Sequence, residues 1–263
     1  MPVPLKKHSK IWVHPDGIIP EKIYNRLLFQ REIRPDDKLT LFVTQNCLTG
    51  SKDKIEGLES KGVKIKVIEQ ELSERNDDPY LVAFINNILE KVKLTKNVED
   101  SVFASDFLRM TNMVQNEGLY SDTDVLFLNN DDSDVISTTH LFGHHNDPSI
   151  TDIHIFGLDS YTREKFHQNL VENLRNYYGD PISWKDSPPD MMPGMHFLQF
   201  LSIKDHGHLD FTETHENVFS GLDQSHSGGE EKLRNTLIED EFLNQAKAVV
   251  EMIKEEKNNL INS

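Results

Sequence analysis

The amino-acid sequence predicts one α/β domain, residues 1–263, with a mostly parallel sheet and helices on both faces. Three observations carry this. Short apolar runs of strand length alternate with segments of helical periodicity through the first half of the chain. A length of 263 residues is enough to bury one full core. No internal repeat or low-complexity block divides the chain.

The elements follow in order. Residues 10–14, KIWVH, form a first strand, and Pro20 opens a helix through about Arg31 with Ile23, Leu27 and Leu28 on one side. Leu39 to Thr44 is a second strand, Ser51 to Lys61 a polar helix, and Val63 to Ile68 an alternating third strand. Asp78 to Leu94 is a helix with Tyr80, Phe84, Ile88 and Leu89 as its apolar stripe. A further helix from Ala104 carries Phe103, Phe107, Met110, Met113 and Val114 at helical spacing. The segment through Tyr120 and Asp122 reads as a strand, and Val125-Leu126-Phe127-Leu128 continues it. Beyond the acidic loop 129–134, the sequence predicts a strand over Asp152–Leu158 and a helix over Tyr161–Tyr178. Residues 179–194 read as a long loop rich in Pro, Gly and Asp, and Met195 to Ile203 as strand or helix. Residues 205–229 carry little periodicity. From Glu230 an acidic amphipathic helix presents Leu233, Leu237, Phe242, Ala246, Val249 and Ile253.

Composition excludes several classes. The formal net charge of -16 argues against nucleic acid or another polyanion as the main partner. No window approaches eighteen apolar residues, so no membrane span is expected. The N-terminal MPVPLKKHSK has basic residues with no apolar stretch behind them, unlike a secretory signal. The single cysteine, Cys47, excludes an intramolecular disulfide framework and reads as a bystander thiol. A cytoplasmic protein, as synthesised, is the expectation.

The most informative stretch runs from Ala104 to Val125. Asp106 and Arg109 stand three apart on a helix and so share a face. Eight residues later comes Gly118-x-Tyr120-x-Asp122-x-Asp124, where period two puts Tyr120, Asp122 and Asp124 on one side of an extended chain. Two carboxylates about 7 Å apart along a strand repel unless a cation or donors lie between them. Hard oxygen ligands suit Mg²⁺ or Mn²⁺, which take one or two carboxylates and leave positions for substrate phosphates. The plain alternative is an acidic helix–loop–strand with solvated carboxylates.

The extended pattern, Ser105-Asp106-x-x-Arg109 followed by Gly118-x-Tyr120-x-Asp122-x-Asp124, resembles the D-x-D core of the large clostridial glucosylating toxins. Related retaining D-x-D sugar transferases, including yeast mannosyltransferase-type enzymes, share it. The resemblance covers Lys10 to about Asp124. It implies a single Rossmann-like nucleotide-sugar transferase domain of the GT-A type. Residues 1–128 would then be the nucleotide-binding half, and 129–263 the acceptor side with a C-terminal metal and diphosphate segment. It also implies Asp124 as a direct metal ligand and Asp122 as a ligand of metal and donor ribose. Asp106 and Arg109 would hold donor-sugar hydroxyls, with Tyr120 packed beside them.

Two further matches extend this resemblance. Trp12 in Ile11-Trp12-Val13 is similar to a first-strand tryptophan that lies against the donor uracil in the toxins, and an indole offers a stacking face for a base. A core tryptophan is the alternative. His226-x-x-Gly229-x-x-Lys232 is similar to the C-terminal motif of glycogenin-like transferases. There the histidine completes the metal site and the glycine and lysine approach the diphosphate, roles these residue types suit chemically. The chain departs from that family after Lys232, where Leu233-Arg234 replaces the usual Pro-Trp. The other histidines, His144-His145 and His206-x-His208 among them, lack zinc-site spacing. Trp184 reads as a lid residue or a loop anchor.

The expectation is a metal-dependent retaining transferase, using Mn²⁺ or Mg²⁺, that moves a hexose or N-acetylhexosamine from a UDP-sugar. Its acceptor would be a protein or a glycan, and a host protein if the chain is a bacterial effector. A Glu-rich tail loosely similar to effector translocation signals is compatible with that. The alternatives are a non-catalytic binding protein on the same fold and a D-x-D phosphohydrolase. The latter needs its first aspartate after a buried apolar strand, whereas here the apolar run follows the pair.

Overall fold

The structure, a computed structural model, describes residues 3–4, 6–74, 77–128, 135–136, 140–144, 151–158, 160–180, 218–220 and 241–261. From the amino end come β1 (Val3–Pro4), β2 (Lys7–Trp12), α1 (Glu21–Ile33), β3 (Lys38–Val43), α2 (Cys47–Gly50), α3 (Lys52–Ser60) and β4 (Lys64–Val67). After α4 (Ile68–Glu74), helix α5 (Pro79–Thr95) starts where the Asp78 carboxylate accepts the Tyr80 N–H at 2.8 Å, with Pro79 in the first turn. It stops at Lys96, which adopts a left-handed φ of 57°. Helix α6 (Val98–Leu108) is capped in the same way by Asn97, which accepts from Glu99 N at 3.0 Å.

One helix was expected through Val114, but the helix ends at Leu108. A short α7 (Asn112–Gln115) begins after a turn at Arg109 and Met110. Thr111 causes the break. Its hydroxyl donates to Leu108 O at 2.7 Å and takes the Val114 N–H at 3.4 Å, so it closes one helix and caps the next. Met110, Met113 and Val114 are still fully buried, which is why their spacing looked like one helix.

The chain then passes through β5 (Leu119–Ser121), β6 (Val125–Phe127), β7 (Val135–Ile136), β8 (His140–His144), β9 (Thr151–Leu158), α8 (Ser160–Tyr178), β10 (Val218–Ser220) and α9 (Glu241–Ile261). The main sheet has the order β4-β3-β2-β5-β9-β8. The ladders among β4, β3, β2 and β5 are parallel, while β9 and β8 add an antiparallel edge. Strand β6 does not continue β5, as its apolar run had suggested. It leaves the sheet and pairs antiparallel with β10.

Both faces of the sheet are covered, so central strands are buried along their length: β3 reads as a nearly continuous apolar run, while β2 carries the buried polar residues His8, Ser9 and Lys10. Ile11, Phe42, Tyr120 and Phe156 face a core built with α5, α6 and α8. Leu41 and Val43 face a second core with Ile23 and Leu27 of α1 and Ile55 and Leu58 of α3. A third cluster joins Phe29 of α1, Leu126 and Leu128 to Leu243, Ala246 and Val250 of α9. The acidic helix foreseen from Glu230 is thus present over its described part, laid on β6 by its apolar stripe. Gln30 locks β6 to α1, donating to Phe127 O at 3.1 Å and accepting from Phe127 N at 2.9 Å. None of the described helices is long and apolar enough to cross a membrane.

Candidate active site around the D-x-D turn

Arg109 is the hub of the site. It stands just past the end of α6, 4 % exposed, and its position is set by two neighbours. Its own Nε donates back to Ser105 O at 3.2 Å, and its backbone carbonyl accepts from Gln115 Nε2 at 2.7 Å. From there Nη2 lies 3.1 Å from Asp106 Oδ1, 3.1 Å from Asp122 Oδ1 and 3.2 Å from Ser105 Oγ. The guanidinium also sits 4.6 Å over the ring of Tyr120, a cation–π contact in a water-poor setting. Tyr120 Oη in turn donates to the Asp122 carboxylate. Burial pushes the Tyr120 phenol well above its ordinary pKa, against the pull of Arg109, so it stays a donor. Five residues picked out by spacing, Ser105, Asp106, Arg109, Tyr120 and Asp122, therefore form one connected network.

Gly118 belongs to that pattern for a backbone reason. It adopts φ +126°, and a Cβ there would lie 2.2 Å from Lys7 O. Only glycine lets β5 enter the sheet beside β2.

The two aspartates are not arranged as an extended strand would place them. Strand β5 ends at Ser121, and Asp122 to Val125 form a turn closed by Val125 N donating to Asp122 O at 3.1 Å. Lys10 spans the bend. Its Nζ donates to Asp122 O and to Val125 O, each at 2.7 Å, and bonds Ser121 Oγ at 2.8 Å. One point donor thus serves the carbonyls at both ends of the turn. Lys10 is 1 % exposed, and burial lowers its pKa to about 7, the charges of Asp122 and Asp124 opposing that shift. Asp124, 8 % exposed, lies within the turn.

Trp12 ends β2, half-buried, on the sheet face of the second core. Its indole N–H donates to Ile18 O at 2.8 Å, and its ring runs within 6° of parallel to that of His14, 6.3 Å away between centroids. Strands β2 and β5 are parallel and adjacent, with Ser9 paired to Tyr120. Trp12 and the D-x-D turn therefore emerge at the same carboxyl edge, where open α/β sheets bind ligands. A cavity of about 430 Å³ lined by Lys7, Arg31, Lys38, Lys64 and Glu117 lies at the opposite edge, where the strands begin. It is not part of this site.

The oxygen donors of Asp122 and Asp124 fit a hard divalent cation such as Mn²⁺ or Mg²⁺. Among the described residues no group of three or more His, Cys, Asp or Glu is gathered that could hold a metal ion. His226, Gly229 and Lys232 lie outside the described residues.

Comparison with solved structures bears on this architecture. The structure named PaToxG Glycosyltransferase superposes with a TM-score of 0.53 at 16% identity, over 78% of this chain and 73% of that one. The chain has a glycosyltransferase fold. A cysteine-to-serine double mutant of a transferase superposes with a TM-score of 0.50 at 12% identity, over 84% of this chain and 94% of that one. The UDP-bound glycosyltransferase domain of the YGT toxin matches at a TM-score of 0.31 and 14% identity, which adds nothing to the fold assignment. No protein-family model and no curated protein sequence matches the chain.

On this glycosyltransferase fold, sequence reasoning missed Lys10, Gln30 and Gln115. Lys10 had a signal of its own: a lone charge inside a strand buried on both faces needs partners.

Proposed function

We propose that the chain is a metal-dependent retaining glycosyltransferase that moves a hexose or N-acetylhexosamine from a UDP-sugar to a protein or glycan acceptor. The observation that carries this is the Arg109 network: Asp106, Tyr120 and Asp122 meet on one guanidinium at the carboxyl edge of a glycosyltransferase fold. The resemblance of the motif to D-x-D sugar transferases supplies the class of chemistry.

In this reading Asp122 and Asp124 hold Mn²⁺ or Mg²⁺, with His226 as a third ligand and Gly229 and Lys232 approaching the diphosphate. A bound cation there offsets the charge that develops on the leaving nucleoside diphosphate. Arg109 and Asp106 orient donor-sugar hydroxyls, one as a donor and one as an acceptor. Tyr120 holds the Asp122 carboxylate in place from the other side. Trp12 stacks on the uracil with its exposed face, its N–H already committed to Ile18 O.

Incubating the protein with a panel of UDP-sugars and Mn²⁺, and following free UDP, tests the proposal. Donor-specific release of UDP supports it. Tight UDP binding without turnover on any donor would replace it with a non-catalytic sugar-nucleotide-binding protein.

A further inference from the structure

The D-x-D turn is held from both faces of the sheet. From one face come Arg109 and Tyr120, which engage the Asp122 side chain. From the other comes Lys10, which pairs in register with Leu41 on the second-core face and engages the backbone. We propose that Lys10 is a positioning residue for the turn, its single Nζ tying Ser121, Asp122 and Val125 so that the Asp122 and Asp124 carboxylates are preset before a metal or donor arrives. This rests on the reading of the turn as a metal site.

Two features separate this from simple core filling. An apolar side chain of similar volume would fill the space under β6 without the cost of desolvating a charge. Lys10 instead places all three of its donor positions on the segment that brackets the aspartates, at 2.7, 2.7 and 2.8 Å. In its ammonium form it also lies close enough to Asp122 and Asp124 to interact with both, which eases the repulsion between two like charges on one tight turn. Lys10 touches neither donor nor metal in this scheme. It acts through the turn.

The test uses the full chain with Lys10→Met, which keeps length and bulk and removes the donors. Two readouts are taken: amide hydrogen exchange at Val125, whose N–H closes the turn, and Mn²⁺ affinity by titration calorimetry. The expected result is faster exchange at Val125, with exchange in α5 unchanged. Mn²⁺ affinity should fall ~10–100-fold, the usual effect of losing a group that orients metal ligands. Unchanged exchange at Val125 overturns the proposal, and so does faster exchange with unchanged Mn²⁺ affinity. If the wild-type chain binds no Mn²⁺, the metal reading falls and the exchange result alone decides whether Lys10 sets the turn. Should Lys10→Met fail to fold, Ser121→Ala removes one anchor. It must then move both readouts in the same direction by a smaller amount.

Discussion

Arg109 Nη2 lies 3.1 Å from Asp122 Oδ1, joining the end of a helix to the turn that follows a strand through one partly buried contact. The pair is the hinge of the candidate site, since Tyr120 meets both side chains and Asp106 meets Arg109.

Removing the cation should therefore be felt as lost stability as well as lost activity. Arg109→Met leaves Asp106 and Asp122 without their shared partner in a mostly buried setting. Breaking such a pair from one side costs about 3–5 kcal/mol. Urea unfolding measures it. Arg109→Lys keeps the charge but loses the planar fork and the stack on Tyr120, so its stability should fall between the wild type and Arg109→Met. A stability equal to wild type in Arg109→Met would show that the network is not a closed unit.

Asp124→Ala should lower UDP release by at least ~10²-fold, the effect typical of losing one electrostatic stabiliser. Excess EDTA should abolish release in the wild type, and Mn²⁺ should restore it. Full activity with EDTA present, or in the variant, would remove the metal assignment. His226→Ala should weaken Mn²⁺ binding without changing the unfolding midpoint.

The base preference tests Trp12 on its own. Trp12→Ala should weaken UDP binding by about 1–3 kcal/mol, the worth of stacking one base. Calorimetric titration of UDP and GDP on both proteins decides it. Equal affinities for the two nucleotides, or no change in the variant, would leave Trp12 as a packing residue tied to Ile18.

Acid should destabilise the fold at His167. His167 of α8 bonds to the Met110 backbone, and burial lowers its pKa to about 4, below the ordinary 6.5. Between those two values the unfolded chain binds the proton and the folded chain does not, so stability from this group is complete above pH ~6.5 and is lost as pH falls toward 4. Thermal unfolding from pH 7 to pH 4 should show a steeper decline in the wild type than in His167→Gln. Parallel declines would exclude the role.

The sequence alone determined what local periodicity encodes. Helical spacing marked the face shared by Asp106 and Arg109, and the i, i+2 step put Tyr120 beside Asp122. The alternating strands and helices of the first half imposed parallel pairing, because such strands need crossovers. Tertiary structure decided the rest. The antiparallel edge of β9 and β8 depends on which strand end is free to be paired. The break at Thr111 depends on a hydroxyl finding Leu108 O, which apolar spacing does not report. Most of all, the bend at Asp122 is spanned by Lys10, a residue more than a hundred positions away along the chain. A lysine inside a buried strand signals that it needs partners, but no local window names them. Only the folded sheet, by burying it under two carbonyls, turns it into the support of the D-x-D turn.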